Sequence, residues 1–335
     1  MAPSPMTRPS GPVTSGAAWR GAELGAEPAA WRLVLGEDER EALARALARI
    51  REHPVEHILA EAPAAASLTA HLADVRRRLR DGVGFVLVRG FPVDLARTRD
   101  EAAALFRLLG AALGDAVPQN GAGELVCDIR DTGADPDDPN TRLYRTRAEQ
   151  DFHTDGADII GLLSLKTAKR GGVSRIVSSV SVVNRISEQR PDLAPLLFEP
   201  WCFHLHGELP AGAPRHFEMP ICRWDGRHLS TFFIGWYIRR AQGLPEVPRL
   251  SSAQREVLEL FERTANDPSL TLDMSFEPGD IQWLKNAVIL HKRTAYEDDA
   301  DPSERRHLLR LWLTARDFED GDERLRRGVA TEAVR

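Results

Sequence analysis

Hydrophobic residues recur at helical spacing three times in the first third of the chain, with one short apolar run between two of these stretches. Residues 36–51 repeat leucine and isoleucine on one side of a predicted amphipathic helix. A second helix is predicted over 67–79 with its first serine as N-cap, and a third after a capping box at 98–101. The β-branched run at 84–90 lies between the second and third helices and predicts a buried strand.

From Gln150 onward the pattern changes to short apolar or alternating runs, which are typical of strands. One helix interrupts them, from 252 to about 266. Helices first and strands later predict an α+β chain in which helices flank a β sandwich or barrel. The predicted strands are 161–166, 175–180, 216–224, 228–234, 270–276, 281–284 and 307–314.

Composition bounds the organisation and the partners. With 335 residues, 42% hydrophobic and 28% charged, we expect one folded domain over 21–318 between a disordered Pro, Gly and Ser-rich tail at 1–20 and a polar tail at 319–335. The net charge of -6 argues against nucleic acid, and no long apolar stretch predicts a membrane span. Three scattered cysteines favour a reducing cytoplasm. We expect a small-molecule substrate and leave a homo-oligomer open.

Two potential metal ligands stand close together near the start of the strand-rich region. His153 and Asp155 are two apart, so on an extended backbone both side chains leave from the same side. His291 follows a Pro-Gly-Asp turn and a short predicted strand, and it is the candidate for a third ligand. Two imidazoles and one carboxylate suit iron(II) and leave open positions for substrate chemistry, although zinc accepts the same donors. A lone HxD pair also occurs in surface turns, so it needs further support.

That support comes from arginines in and just before the last predicted strand. Arg306, Arg310 and Trp312 fall on one face of the alternating segment, and three leucines fall on the other. If the leucines pack on helices, the arginines point into the barrel, where a guanidinium is costly unless it meets an anion. A dicarboxylate co-substrate would supply that anion, because the planar guanidinium matches a carboxylate in two hydrogen bonds. The alternative is that both are ordinary surface cations or pair with protein carboxylates.

Taken together, these motifs resemble the taurine dioxygenase and TfdA-like family of iron(II)/2-oxoglutarate oxygenases, which are relatives of clavaminate synthase. The likeness runs from about residue 82 to about residue 315. The residues that carry it are the strand 84–92, the block Phe152-His153-Thr154-Asp155-Gly156, the turns 171–174 and 278–280, His291, Arg306 and Arg310.

The resemblance implies a double-stranded β-helix, a jelly-roll core with helices packed outside, and a set of residue roles. His153, Asp155 and His291 match the iron ligands, and the co-substrates are 2-oxoglutarate and O2. Arg306 matches the arginine on the distal carboxylate of 2-oxoglutarate, and Ser174 stands where relatives often have a threonine hydroxyl. Arg310 matches an arginine near the substrate or the inner carboxylate.

The resemblance also implies the reaction, which is hydroxylation of an unactivated C–H bond with release of succinate and carbon dioxide. Related halogenases replace the carboxylate ligand by a small residue, so Asp155 argues against halogenation. Desaturation, cyclisation and cleavage stay open, because they begin with the same hydrogen abstraction.

Several residues are candidates for contact with the substrate. Gln119 and Asn120 stand where family members place such contacts, with a loop turn as the equal alternative. Phe152 is a candidate wall of the pocket, and Trp236 with Tyr237 forms either an aromatic wall or core packing. Arg310 favours an anionic or amino-acid-like substrate.

Three other interpretations remain. His204, His206 and Glu208 alternate on one predicted strand face and form a possible second chelating set. A metal-binding jelly roll without redox activity, acting as a hydrolase or a sensor, would use the same ligands. A nucleotide or flavin enzyme is disfavoured, because the chain has neither a P-loop nor a GxGxxG after a strand.

Overall fold

Helices pack on the outside of two β-sheets in the computed structural model, which describes residues 8–61, 66–136, 138, 141–205 and 213–318. The helices are α1 (Gly21–Leu24), α2 (Glu37–Glu52), α3 (Val55–Glu61), α4 (Ala66–Arg80), α5 (Arg99–Ala111), α6 (Ser179–Gln189), α7 (Gly235–Ala241) and α8 (Ser252–Ala265). No helix in these ranges is both long and apolar enough to cross a membrane.

The strands are short and mostly antiparallel. They are β1 (Arg32–Val34), β2 (Phe85–Arg89), β3 (Asp115–Ala116), β4 (Val126–Ile129), β5 (Gln150–His153), β6 (Ile159–Lys166), β7 (Arg170–Gly171), β8 (Ser174–Ser178), β9 (Pro200–His204), β10 (His216–Pro220), β11 (Cys222–Trp224), β12 (Leu229–Thr231), β13 (Thr271–Met274), β14 (Ile281–Lys285), β15 (Ile289–Arg293), β16 (Tyr296–Glu297) and β17 (His307–Thr314).

Two sheets form the core of the fold. The larger has the order β1-β2-β14-β6-β17-β3, with β4 also paired to β17, and the smaller has the order β13-β8-β15-β5. Apolar side chains from both sheets join one buried cluster, to which Phe85 and Ile160 contribute from the larger sheet and Ile176 and Leu290 from the smaller. This is the predicted α+β jelly roll with flanking helices.

Strand β17 decides which way the arginine row points. Leu309, Leu311 and Leu313 join the cluster formed with helices α2, α4 and α5, because alternate residues of a strand face opposite sides. Arg310 and Trp312 therefore face the interior of the jelly roll, as expected if the leucines pack on helices. The strand itself covers the predicted range 307–314.

Four helices, α1, α3, α6 and α7, were missed by the sequence pattern. Residues 175–180 were expected to form one strand, but the chain turns at Ser178, whose hydroxyl accepts a hydrogen bond from the Ser181 backbone N–H and caps α6. Valines made this stretch look like a strand, and α6 forms because packing against α8 outweighs their weak helix propensity. Helix α7 follows directly after the predicted strand 228–234.

The predicted disordered tail at 1–20 is wrong for residues 13–20. Val13, Ala17 and Trp19 are buried in the main core cluster. The indole N–H of Trp19 donates to the Val83 carbonyl at 2.8 Å, and the Asn184 side chain exchanges two hydrogen bonds with the backbone of Val13. The apolar residues at 13–20, within the Pro, Gly and Ser-rich tail, thus pack this segment against the domain. Residues 1–7 and the predicted tail at 319–335 lie outside the described residues.

Candidate active site

The three predicted metal ligands meet at one point between the sheets. His153 ends β5 and pairs directly with His291 on β15, so their rings lie 4.2 Å apart between centroids. The Nε2 atom of His291 lies 3.7 Å from Oδ2 of Asp155, and one donor atom from each of the three residues falls within 4.8 Å of the others. All three side chains are buried. Two imidazoles and one carboxylate on one face of a coordination site are a donor set that binds iron(II).

Two buried polar side chains hold the segment that carries Asp155. The Asn286 amide accepts from the Asp155 backbone N–H at 2.8 Å and donates to the Asp155 carbonyl at 2.7 Å. Thr154 donates its N–H to the Phe233 carbonyl at 2.8 Å and accepts from the Phe233 N–H at 2.9 Å. The backbone at Thr154 and Asp155 is therefore fixed by Phe233 and Asn286, and this fixes the position from which the Asp155 carboxylate extends. Sequence analysis missed Asn286, whose only signal was an asparagine in the turn before the strand of His291.

The hydrogen bonds of His153 determine which nitrogen faces the site. Its Nδ1 lies 2.8 Å from the Asp151 carbonyl, which only accepts, so Nδ1 carries the proton and donates. Its Nε2 then has a lone pair, and the Gln150 amide lies 3.1 Å away on that side. Such a partner on the far nitrogen is the usual way of orienting a ligating histidine.

Burial controls the charge of the three groups. It lowers the pKa of His153, and it lowers the pKa of His291 to about 3 with help from the nearby His153. Burial acts to raise the pKa of Asp155, but the Arg310 guanidinium and the two imidazoles outweigh it and lower that pKa overall. Near neutral pH the site therefore has two neutral imidazoles and one carboxylate, which is the form that binds a cation.

Arg310 is directed at Asp155. Its Nη1 donates to the two carboxylate oxygens at 3.4 and 3.2 Å, and its Nε donates to Oε1 of Gln119 at 2.7 Å. The guanidinium lies between the rings of Tyr144 and Trp312, at 5.1 and 4.8 Å from their centroids. The indole N–H of Trp312 also donates to Asp155, at 3.2 Å.

The two predicted contact residues before the glycine loop have different surroundings. Gln119 lines the cavity, but its amide is used within the protein, since Nε2 donates to the carbonyls of Leu125 and Arg310 at 2.9 and 2.8 Å. Asn120 does not line the cavity; its Oδ1 caps the turn by accepting from the N–H groups of Ala122 and Glu124. The turn interpretation is therefore correct for Asn120, and Gln119 is placed to position Arg310.

A group of buried cations lies on the same inner face as His291. Ser174 pairs directly with Arg293 across β8 and β15. The guanidinium carbons of Arg293 and Arg306 lie 4.9 and 5.0 Å from the centroid of the Tyr296 ring. Each of the two arginines is less than a tenth exposed. Gly172 has a φ of +66°, and a Cβ there would stand 3.1 Å from Nε of Arg306, so glycine permits the close approach.

Several polar atoms of this group lack a hydrogen-bond partner among the described residues, although Nη2 of Arg293 donates to the Ala148 carbonyl and the Ser174 hydroxyl donates to Oε1 of Gln282 at 3.0 Å. Nη1 of Arg306, Nε and Nη1 of Arg293 and the hydroxyl of Tyr296 are all buried without a hydrogen bond. Burial and the charge of Arg293 lower the pKa of Arg306 to about 10. Buried cations without a salt-bridge partner fit an anionic ligand. Sequence analysis identified Ser174 and Arg306 but missed Arg293 and Tyr296.

A cavity of about 350 Å³ opens beside the metal ligands. His153 and Asp155 line it, and Phe217, Phe232, Trp236 and Tyr237 form an apolar wall, so the aromatic-wall interpretation of the last two is correct. Phe152 does not line it, because alternation along β5 turns Phe152 away from His153 and into the core. The prediction that Phe152 walls the pocket is wrong.

Two members of the second predicted chelating set, His206 and Glu208, lie outside the described residues. His204 lines the cavity and pairs across β9 and β10 with His216. Cys202, His216 and Glu218 bring donor atoms within 4.8 Å of one another on this hairpin, but none of the three is buried.

Comparison with known proteins agrees with this geometry. The chain matches the family described as taurine catabolism dioxygenase TauD, TfdA family over residues 32–312. It is 31% identical over 316 residues to FR-33289 synthase of Streptomyces rubellomurinus, a match that covers 90% of each chain. It is 26% identical over 180 residues to uridine-5'-phosphate dioxygenase of an Amycolatopsis species, covering 50% of this chain and 62% of the other.

Solved structures resemble the fold at low identity. An asparagine oxygenase in complex with Fe(II), a hydroxyasparagine and succinate aligns with a TM-score of 0.65 and 17% identity, over 85% of this chain and 94% of the other. A non-heme iron oxygenase in complex with Fe and alpha-ketoglutaric acid aligns with a TM-score of 0.61 and 17% identity, over 84% and 94%.

The family match extends from β1 to β17 and so includes the metal ligands, Arg306 and Arg310. The predicted fold and enzyme class are confirmed. The predicted metal, iron(II), and the predicted co-substrates, 2-oxoglutarate and O2, are confirmed as well. The chain belongs to the TauD, TfdA family and is a 2-oxoglutarate-dependent dioxygenase.

Proposed function

We propose that the enzyme hydroxylates an unactivated C–H bond of a small, amino-acid-like substrate and releases succinate and carbon dioxide. The observation that carries this proposal is the combination of a buried two-histidine, one-carboxylate group with unpaired buried cations on the same inner face. The first suits iron(II), and the second suits a dicarboxylate. The asparagine oxygenase with a similar fold supports the amino-acid-like substrate.

Each residue has a role in this proposal. His153, Asp155 and His291 hold the iron, which supplies the oxidising power when it is bound together with 2-oxoglutarate and O2. Arg306 and Ser174 bind the distal carboxylate, and Arg293 adds a second guanidinium beside them. Arg310 holds Asp155 through Nη1, so only its other terminal nitrogen is available to the inner carboxylate.

The protein contributes orientation and exclusion of water. Asn286 and Thr154 fix the backbone around Asp155, so the carboxylate does not turn away when ligands change. The ring of Trp236 lies 5.2 Å from the ring of His153 and closes the cavity on that side. A substrate that binds along the aromatic wall of the cavity would place a C–H bond close to the metal ligands, and hydroxylation requires that position.

The test is to load purified protein anaerobically with iron(II) and 2-oxoglutarate and then admit air. We expect a weak visible charge-transfer band before air and succinate afterwards, and loss of both in a H153A/D155A double variant. The matched control is Asp151→Ala, which changes a nearby exposed carboxylate and keeps the backbone carbonyl that orients His153. Metal binding without band or succinate would favour the non-redox hydrolase or sensor and overturn the proposal.

Cellular setting and assembly are part of the same proposal. All three cysteines are free, and Cys127 and Cys222 are buried, which favours a reducing cytoplasm. A homo-oligomer is compatible with the fold, and light scattering of the purified protein measures it directly.

A further inference from the structure

One face of the β9–β10 hairpin carries four residues whose side chains can bind a metal ion. In the antiparallel register Cys202 stands directly opposite Glu218, and His204 stands directly opposite His216. Residues that pair directly project from the same face, and so do residues two apart on one strand. The four side chains therefore share one face, with the Cβ atoms of each pair about 4.5–5.5 Å apart. None of them is a predicted iron ligand.

Three of these side chains converge. The donor atoms of Cys202, His216 and Glu218 all lie within 4.8 Å of one another, and Sγ of Cys202 lies 3.8 Å from Oε1 of Glu218. In a tetrahedral zinc site, bonds of about 2.0–2.3 Å place neighbouring donor atoms about 3.3–3.8 Å apart. The three donors therefore need only a small movement to close around one ion.

The imidazole of this group has a nitrogen that the protein does not satisfy. Nδ1 of His216 is buried and has no hydrogen-bond partner among the described residues. The same is true of Nδ1 of His204, on the opposite strand. A buried polar atom without a partner is unfavourable, and ligation of a metal ion through such a nitrogen removes that cost. This observation is independent of the spacing of the three donors, and it also indicates a ligand.

The donor types favour zinc. A thiolate is a soft ligand that selects zinc over harder divalent cations, and imidazole and carboxylate are common zinc ligands as well. The deprotonated side chains of Cys202 and Glu218 together balance the two positive charges of the ion. Glu218 is exposed, and Cys202 and His216 are half-buried, so the ion can enter from solvent and water can take the fourth position.

The position of the hairpin indicates what such an ion would do. Strands β9 and β10 form a two-stranded sheet of their own, outside the two sheets of the core. Two strands gain little stability from their own ladder. His204 and Phe217 of this hairpin line the cavity beside the iron ligands. An ion that joins β9 to β10 would therefore fix the register of the strands and, with it, one part of the cavity wall.

We propose that Cys202, His216 and Glu218 form a second metal site, which binds zinc and joins the two strands of the hairpin. The site goes beyond the proposed function, because its ligands are distinct from those of the iron and it takes no part in the oxidation. Its role is structural.

The experiment uses cobalt(II) as a spectroscopic probe and zinc(II) as the ion itself. Cobalt bound to a thiolate has a charge-transfer band in the near ultraviolet, and the predicted iron ligands include no cysteine that could produce it. Titration of metal-free protein with cobalt(II) should give this band in wild type and in the H153A/D155A double variant. Excess zinc(II) should remove the band by replacing cobalt, and the double variant should bind one zinc ion per chain.

Variants made in the background of that double variant then assign the band to the hairpin. Cys202→Ser should abolish it, and Cys202→Ser, His216→Gln and Glu218→Gln should each lower zinc affinity about 100-fold or more. Cooperative urea unfolding shows that each variant is folded.

Cys127→Ser is the matched control. Sγ of Cys127 also lies beside a carboxylate, 3.7 Å from Oε2 of Glu124, but Cys127 belongs to no group of three metal donors in the described part of the chain. This variant should keep both the cobalt band and the zinc affinity of its parent.

Several results would overturn the site. The first is a wild-type protein without the cobalt–thiolate band. The second is a band that persists in Cys202→Ser or disappears in Cys127→Ser, since another cysteine would then hold the metal. The third is a zinc affinity that stays unchanged in His216→Gln or in Glu218→Gln. None of these measurements depends on succinate formation, so failure of this site and failure of the proposed function are distinguishable.

Discussion

Arg310 and Asp155 form a buried ion pair, with Nη1 at 3.2 Å from Oδ2, in which the carboxylate is also a predicted metal ligand. One arginine thus fixes the charge and direction of a ligand group, and Gln119 fixes the arginine in turn. The carboxylate keeps its negative charge because the guanidinium and the two imidazoles together outweigh the effect of burial and lower its pKa. The predictions below concern this pair, its supports and the buried cations beside it.

Gln119→Ala should weaken iron binding without removing any proposed ligand. Loss of the Gln119 amide frees Nε of Arg310 and removes the donor to the carbonyls of Leu125 and Arg310, which costs about 1–3 kcal/mol. We expect iron(II) affinity to fall about tenfold, measured by anaerobic titration. Asn120→Ala, the adjacent turn residue, is the control and should change iron affinity by less than about twofold. Equal effects of the two variants would contradict the positioning role.

Asn286→Asp should separate orientation from folding. The substituted carboxylate still accepts from the Asp155 N–H, but it cannot donate to the Asp155 carbonyl and it adds a negative charge there. We expect iron affinity about 10- to 100-fold lower, as for other residues that orient metal ligands. Retained cooperative unfolding in urea shows that the fold persists. Wild-type iron affinity in this variant would refute the role.

Replacing Arg293 by Met should have opposite effects on stability and on co-substrate binding. Removing a buried guanidinium with unpaired nitrogens should raise the free energy of unfolding of the metal-free protein, by about 1 kcal/mol or more. Affinity for 2-oxoglutarate, measured calorimetrically on the anaerobic iron-loaded protein, should fall about tenfold. Arg306→Met should lower it further. A 2-oxoglutarate affinity unchanged in R293M would exclude Arg293 from the carboxylate site.

Asp128 should give stability a dependence on pH. Oδ1 of Asp128 accepts a hydrogen bond from Nε of Arg99 at 3.0 Å and lies 2.7 Å from Nε2 of His307. Burial acts to raise the pKa of Asp128, but these two partners outweigh burial and lower that pKa from 3.8 to about 2. A lowered carboxyl pKa contributes stability that is complete above the unfolded value and is lost as the pH falls toward the folded value.

The free energy of unfolding of wild type should therefore exceed that of Asp128→Asn near neutral pH, and the difference should shrink between about pH 4 and about pH 2. Urea unfolding at several pH values measures it. A difference that stays constant over that window would show that the carboxylate charge is not what stabilises the junction of α5 with β4 and β17.

Trp19→Ala should destabilise the domain although Trp19 lies in a stretch whose composition predicted disorder. The ring is buried against Phe85, at 5.4 Å between centroids, and large-to-small changes at buried aromatic residues cost about 3–5 kcal/mol. Thermal and urea unfolding measure the loss. The exposed Arg20→Ala is the neighbouring control, with less than about 0.5 kcal/mol expected. A negligible effect of W19A would restore the tail interpretation for residues 13–20.

Local patterns in the sequence were sufficient for part of the fold and of the site. The alternation at 307–314 predicted the strand and placed Arg310 on the face opposite the leucines, because side chains of a strand alternate with a period of two whatever the strand pairs with. Which of the two faces points inward depended on the leucines packing against the helices. His153, Asp155 and His291 could be proposed for the same reason, since their residue types suit one metal. The helix at 37–52 followed from its own amphipathic period.

Other features depended on contacts between distant residues, which a local pattern does not contain. Asn286 and Arg293 became recognisable only when β14 and β15 brought them beside Asp155 and Ser174. Gln119 and Asn120 look alike in sequence, and only the return of β17 distinguishes them, by placing Arg310 against the first. The chain by itself therefore determined the periodic elements and the residue types for the chemistry. The pairing of strands decided which polar groups are buried together, because burial and partner choice are properties of the assembled core.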